Sequence, residues 1–124
     1  MANTKPIPKK MREDIARDRF MSRCIYKNDN APNHDCQGRI EWEHSHLFAG
    51  KRINEPWAIV PCCTNHNRGN AMDKEYNRYI ALVRATILLP DGLEDLKRRY
   101  PTRDWDQQFK YLRNKYGEQE LYCS

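Results

Sequence analysis

Apolar residues recur at helical spacing mainly in the C-terminal half of this chain. Tyr76, Ile80, Val83 and Ile87 fall on one face, and Asp73 stands where a helix cap belongs. Asp91 is placed to cap a short helix bearing Leu93 and Leu96. Trp105, Phe109, Leu112 and Tyr116 line a last helix, with Gly117 as its stop. Core packing accounts for these aromatics. The N-terminal half is patterned differently. Residues 1–9 carry two prolines and scattered charge, which predicts a mobile tail. Residues 10–21 are good helix formers, with Met11, Ile15 and Phe20 as a ragged apolar face. Residues 24–38, rich in Asn, Asp, Pro and Gly, predict a loop bounded by two cysteines. From Arg39 to His44, Ile40 and Trp42 alternate with Arg39, Glu41 and Glu43, the period of a strand. Leu47–Pro56 reads as a loop, Trp57–Val60 as a second short strand, and Thr64 as the start of a helical turn. The pattern predicts an α+β fold in one domain over 1–124, with a core at 24–70 and a helical extension over 73–117.

Composition narrows this picture. The 124 residues suit one domain, and with 31% charged residues the core is small enough that a metal staple would help it. No run of 18 apolar residues occurs, so no membrane-spanning helix is expected. The N-terminus lacks an apolar stretch behind its charges, so a secretory signal is not expected and a cytoplasmic address is the default. Twenty-two Lys and Arg against 17 Asp and Glu give +5, which suits a polyanion partner without requiring one. Five cysteines, an odd number without a secretion signal, argue for metal ligation over a disulfide framework. Cys123, next to the last residue, reads as a bystander.

A structural Zn²⁺ wants four N or S ligands in a tetrahedron, commonly two from each of two loops. Cys63-x-x-His66 is one such pair, because a tight turn brings positions i and i+3 together. Cys24 and Cys36 bound the turn-rich loop and form the other, with a longer gap than usual. Cys62 competes with Cys63. Adjacent residues at a strand end point to opposite sides, and the spacing to His66 favours Cys63 for the metal. His34 competes less convincingly with Cys36.

A second group of residues suits the hydrolysis of a phosphodiester. That reaction needs water deprotonated, charge on phosphorus neutralised and the leaving oxygen stabilised. Neutral imidazole, with an ordinary pKa of about 6.5, is a base near neutral pH. One Mg²⁺ or Mn²⁺ on hard oxygen ligands can supply the rest. Glu43 and His44 place a carboxylate beside an imidazole at a strand end, and Asn67 offers a second oxygen. Asn67 directly follows His66, so zinc binding at His66 would hold it in place. His46 could replace His44 as base, touch phosphate or simply be exposed. Lys51, Arg52 and Arg68 flank these positions and could neutralise neighbouring phosphates.

In this order and spacing, Glu43-His44 and Cys63-Thr64-Asn65-His66-Asn67 resemble the HNH endonucleases, whose fold is the ββα-metal motif. Glu43-His44 takes the place of the family's Asp-His, and Cys63 to Asn67 the place of its second Cys pair and following Asn or His. The resemblance covers about residues 24–70. It implies a metal-dependent DNA endonuclease with His44 as general base. Glu43 and Asn67 would hold the catalytic cation, and Cys24, Cys36, Cys63 and His66 a zinc knuckle. The family's middle asparagine, which holds the loop and orients the base, is best matched by Asn54, although Trp57 lies nearer the usual place. The chain departs from the pattern in having Glu for Asp at 43, and Gly69-Asn70 would interrupt a helix after Asn67. The block from Ala49 to Cys63 also resembles phage-encoded HNH-type proteins, implying a phage-infected bacterial host. Two other functions use the same cysteines: a zinc-stabilised nucleic-acid-binding module without catalysis, and a protein-interaction zinc domain. Glu43, His44 and Asn67 separate the first from a nuclease, since a pure binder has no need of them.

Overall fold

A computed structural model of the chain describes residues 7–118. Most of the tail expected at 1–9, and Cys123, lie outside that range; Lys9, counted with the tail, is already helical. The elements are α1 (Lys9–Ala16), β1 (Ile40–His44), β2 (Leu47–Phe48), β3 (Lys51–Arg52), β4 (Ile59–Cys63), α2 (Thr64–Arg68), α3 (Lys74–Leu88), α4 (Leu93–Arg99) and α5 (Trp105–Tyr116). They form a mixed α+β architecture with two small antiparallel sheets. Among the described residues, no helix is long and apolar enough to cross a membrane.

The main sheet pairs β1 with β4 antiparallel, from Ile40 opposite Cys63 to His44 opposite Ile59. Ser45 and Thr64 extend the ladder at either end, donating to Ala58 and Arg39. Those two bonds set the alternation. Glu41 and Glu43 sit in hydrogen-bonded pairs, whereas Trp42 faces Pro61 in a non-bonded pair, where proline's missing N–H is not needed. All five residues of β4 are buried. Trp57 and Ala58, expected to begin this strand, instead belong to a 3-10 turn, Pro56–Ala58, started by the proline.

The loop expected over 47–56 contains the β2–β3 hairpin. Ala49 (φ 53°) and Gly50 (φ 79°) both adopt left-handed backbone at its turn, as a two-residue hairpin of the primed type requires. The first helix ends at Ala16, short of the expected 10–21, because Asp18 starts a competing turn: its carboxylate accepts from the Phe20 N–H at 2.9 Å.

The helices pack as their periodicity suggests, with two differences. Asp73 caps α3 through the Tyr76 N–H, and Tyr76, Ile80 and Val83 are buried, but Ile87 is 45% exposed because the helix outruns the core. Asp91 does not cap α4; Gly92 holds that position, and Asp91 pairs with Arg98. Asp104 caps α5, whose Trp105 and Leu112 are buried, and Gly117 ends it at φ 76°. Trp105 packs edge-on against Trp57 with ring centres 6.2 Å apart. Tyr100 and Phe48 continue this aromatic cluster. Arg99 and the Tyr100 hydroxyl both engage the Glu55 carboxylate. The C-terminal helices therefore brace the loop between β1 and β4, the segment that presents Asn54.

Candidate metal centre and cleft

Three thiols and one imidazole converge at the open end of the main sheet. The ligand atoms of Cys24, Cys36, Cys63 and His66 all lie within 4.8 Å of one another. His66 Nδ1 is 3.6, 3.8 and 3.1 Å from the sulfurs of Cys24, Cys36 and Cys63. A tetrahedral zinc with ordinary Zn–S and Zn–N bonds separates such atoms by about 3.6 Å. Three further observations fit a metal site. His66 Nε2 donates to Asn33 Oδ1 at 2.5 Å, which leaves Nδ1 with the lone pair. The ring stacks on Tyr26, centres 3.8 Å apart and planes 1° from parallel. The N–H groups of Gln37 and Cys63 donate to the sulfurs of Cys63 and Cys24 at 3.4 and 3.3 Å. A group of this composition could hold zinc.

The thiols differ in their surroundings. Burial pushes the Cys24 thiol up to about 12 and raises Cys36. At Cys63 burial also pushes upward, but hydrogen bonds from the backbone of His66 and Gln37 and from the Cys24 and Cys36 thiols together lower the thiol. Cys62 points the other way, as strand alternation requires. It is fully buried, and burial, with Glu43 nearby, raises its thiol well above the ordinary range. His34 is not in the cluster; its Nε2 lies 3.0 Å from the Asn28 carbonyl.

Helix α2 spans only Thr64–Arg68, yet it links this cluster to an adjoining cleft. His66 faces the thiols, while Asn67 and Arg68 face the cleft, whose volume is about 430 Å³. Glu43, His44, Asn67, Arg52 and Arg68 all line that cleft. Lys51 does not; it is exposed on β3. His44 Nε2 lies 3.1 Å from Asn54 Oδ1. With the amide oxygen accepting, Nε2 carries the proton and Nδ1 the free lone pair. His46, by contrast, is 2% exposed and sits between Trp57 and Trp105. Its Nε2 donates to the Arg78 carbonyl at 3.2 Å, and Arg103 approaches Nδ1 at 3.4 Å. Burial pushes its pKa down to about 3, with Arg103 and Arg78 adding to the shift against the carbonyl bond. His46 is a neutral core residue, not an exposed alternative to His44.

No protein-family model, curated protein or solved structure matches this chain. The site must therefore be judged by its own geometry.

That geometry includes residues sequence reasoning missed. Glu41 organises α2: it accepts from Asn67 Nδ2 at 2.8 Å, Arg68 at 2.9 Å and the Thr64 hydroxyl at 3.1 Å. These bonds, the Asn67 amide first, hold its carboxyl below the ordinary range against the opposing effect of burial. Arg68 lines the cleft, as expected of it, and is also engaged by Glu41. Asn67 Oδ1 has no hydrogen-bond partner among the described residues. Lys74 and Asn77, on α3, both bond the Glu43 carboxylate. Arg78 also lines the cleft, and its guanidinium makes no ion pair among the described residues. The signals were present: Glu41 lies two positions before Glu43 on one strand face, and Lys74 and Arg78 share a helix face at i, i+4.

Proposed function

We propose that this chain is a metal-dependent endonuclease of the HNH type, acting on DNA phosphodiester bonds. The reading is carried by one observation: Glu43, His44 and Asn67, from separate parts of the sequence, line a single cleft beside the Cys₃His cluster. The order β1, β4, α2 is the order of strands and helix in the ββα-metal motif. The guanidinium of Arg78, which makes no ion pair among the described residues, and the neighbouring Arg52 supply positive charge where a phosphate backbone would run.

In this reading the Cys₃His group holds a structural zinc, which fixes α2. Glu43 and the Asn67 amide oxygen are hard donors that suit Mg²⁺ or Mn²⁺. Bound there, the cation would neutralise charge on the phosphate and stabilise the leaving oxygen. His44 accepts a proton from water at Nδ1 while Asn54 holds the far side of the ring. The water oxygen bonds to phosphorus, its proton passes to His44, and the bond from phosphorus to the 3′ oxygen breaks.

Supercoiled plasmid with Mg²⁺ or Mn²⁺, an EDTA control and His44→Ala in parallel tests this directly. Nicking that needs the cation and His44 is the expected result; equal cutting by His44→Ala would remove His44 from its role. A second reading, a zinc-stabilised nucleic-acid-binding module without catalysis, is favoured by the engagement of Glu43 by Lys74 and Asn77. Salt-dependent DNA binding with no cutting under any divalent cation would establish it instead.

A further inference from the structure

We infer that Lys74 competes with the divalent cation for Glu43, and so sets how readily the cleft takes that ion. The inference rests on the nuclease reading for the assignment of Glu43 and Asn67 as cation ligands. Lys74 bridges these two residues: its ammonium pairs with Glu43 Oε2 and donates to the Asn67 backbone carbonyl at 2.9 Å. Asn77 Nδ2 donates to the other Glu43 oxygen at 2.7 Å.

The two partners of Glu43 are unlike. Asn77 is fully buried and also accepts from the Tyr26 hydroxyl at 2.7 Å, so it is fixed and fixes one carboxylate oxygen. The Lys74 side chain is 43% exposed on a flexible stem and can move its charge to solvent or to an arriving anion. Glu43 is only 11% exposed, and a carboxylate so enclosed needs a positive partner. Lys74 supplies one without an ion. An ammonium and a divalent cation repel strongly at contact distance, so occupancy of the same oxygen is exclusive. The chain thus holds its own substitute charge in the cleft, and ion binding has to overcome it. A phosphate entering the cleft gives Lys74 another anion to engage. Cation and phosphodiester therefore bind with positive coupling.

The test uses the full-length, zinc-loaded protein and Mn²⁺ as probe, followed by the electron paramagnetic resonance of free Mn²⁺ without nucleic acid. Lys74→Met should bind Mn²⁺ about tenfold or more tightly than wild type, and Mn²⁺ should raise its Tm by more. Lys74→Arg, which keeps the charge, should stay near wild type. Adding Glu43→Gln to Lys74→Met should abolish the gain, locating the ion at Glu43. Lys74→Gln serves the same comparison if the methionine variant does not fold. Unchanged or weaker Mn²⁺ binding in a folded variant with full zinc content would overturn the competition. If wild type nevertheless cuts DNA with Mn²⁺, the nuclease reading survives that result. If neither wild type nor variant binds Mn²⁺ and neither cuts, the cation site at Glu43 falls, and the competition with it.

Discussion

Asn54 Oδ1 lies 3.1 Å from His44 Nε2, across the loop that leaves β1 and returns to β4. That contact selects one tautomer of His44 and one orientation of its ring. Asn54→Ala should leave the fold and zinc content intact while lowering kcat about 10- to 100-fold, with little change in KM. Single-turnover plasmid nicking measures it. A wild-type rate would show that the ring needs no tether.

The two adjacent cysteines should separate cleanly. Cys63→Ser should lower zinc content and thermal stability together, because it replaces a candidate thiolate ligand with a hydroxyl that binds zinc poorly. Cys62→Ala should keep one zinc per chain and cost about 1 kcal/mol for the lost buried group. Elemental analysis with thermal melts reads both. Zinc lost from Cys62→Ala and kept in Cys63→Ser would reverse the assignment.

Stability should depend on His46 in acid. Its folded pKa, about 3, lies below the ordinary value of about 6.5. Between those values the unfolded chain binds a proton that the folded chain refuses. Stability is therefore fully present above about pH 6.5 and declines as pH falls toward 3, by up to about 1.4 kcal/mol per pH unit. His46→Gln should flatten that decline in urea titrations across the window. Parallel pH profiles for the two proteins would assign the acid sensitivity to other groups.

Glu41→Gln should show that the hub beneath α2 matters more to the cleft than to the fold. Its pair with Arg68 is largely exposed on the Arg68 side, where solvent screens it, so it adds little to the fold. Its bond to Asn67, however, decides which way that amide faces. The expected result is a small change in Tm with a clear fall in cleavage and in Mn²⁺ affinity. A loss of stability alone, with cleavage per folded molecule unchanged, would reduce Glu41 to a structural role.

Local chemistry was legible in the sequence; meetings between distant elements were not. Asp73 as a cap, Tyr76, Ile80 and Val83 as a buried stripe, and Cys63 with His66 as a ligand pair each follow from spacing within one element. The β2–β3 hairpin was hidden because Ala49 adopts a conformation usually left to Gly or Asn. The early end of α1 turned on one side-chain bond from Asp18 that outcompetes a helix former's propensity. The partners of Glu43 come from α3, some thirty residues on, so only the packing of that helix against the sheet reveals them.

The burial of β4 has a consequence for how molecules of this chain behave together. The positions of β4 whose amides face away from β1 are Ile59, Pro61 and Cys63. Proline has no hydrogen to offer, and the Cys63 amide is already spent on the Cys24 sulfur. Every residue of β4 is buried, so that margin is covered inside the molecule and no stray strand reaches it. A two-stranded sheet is a natural seed for aggregation, and here the same sulfur that stands ready for a metal helps to close its inner edge.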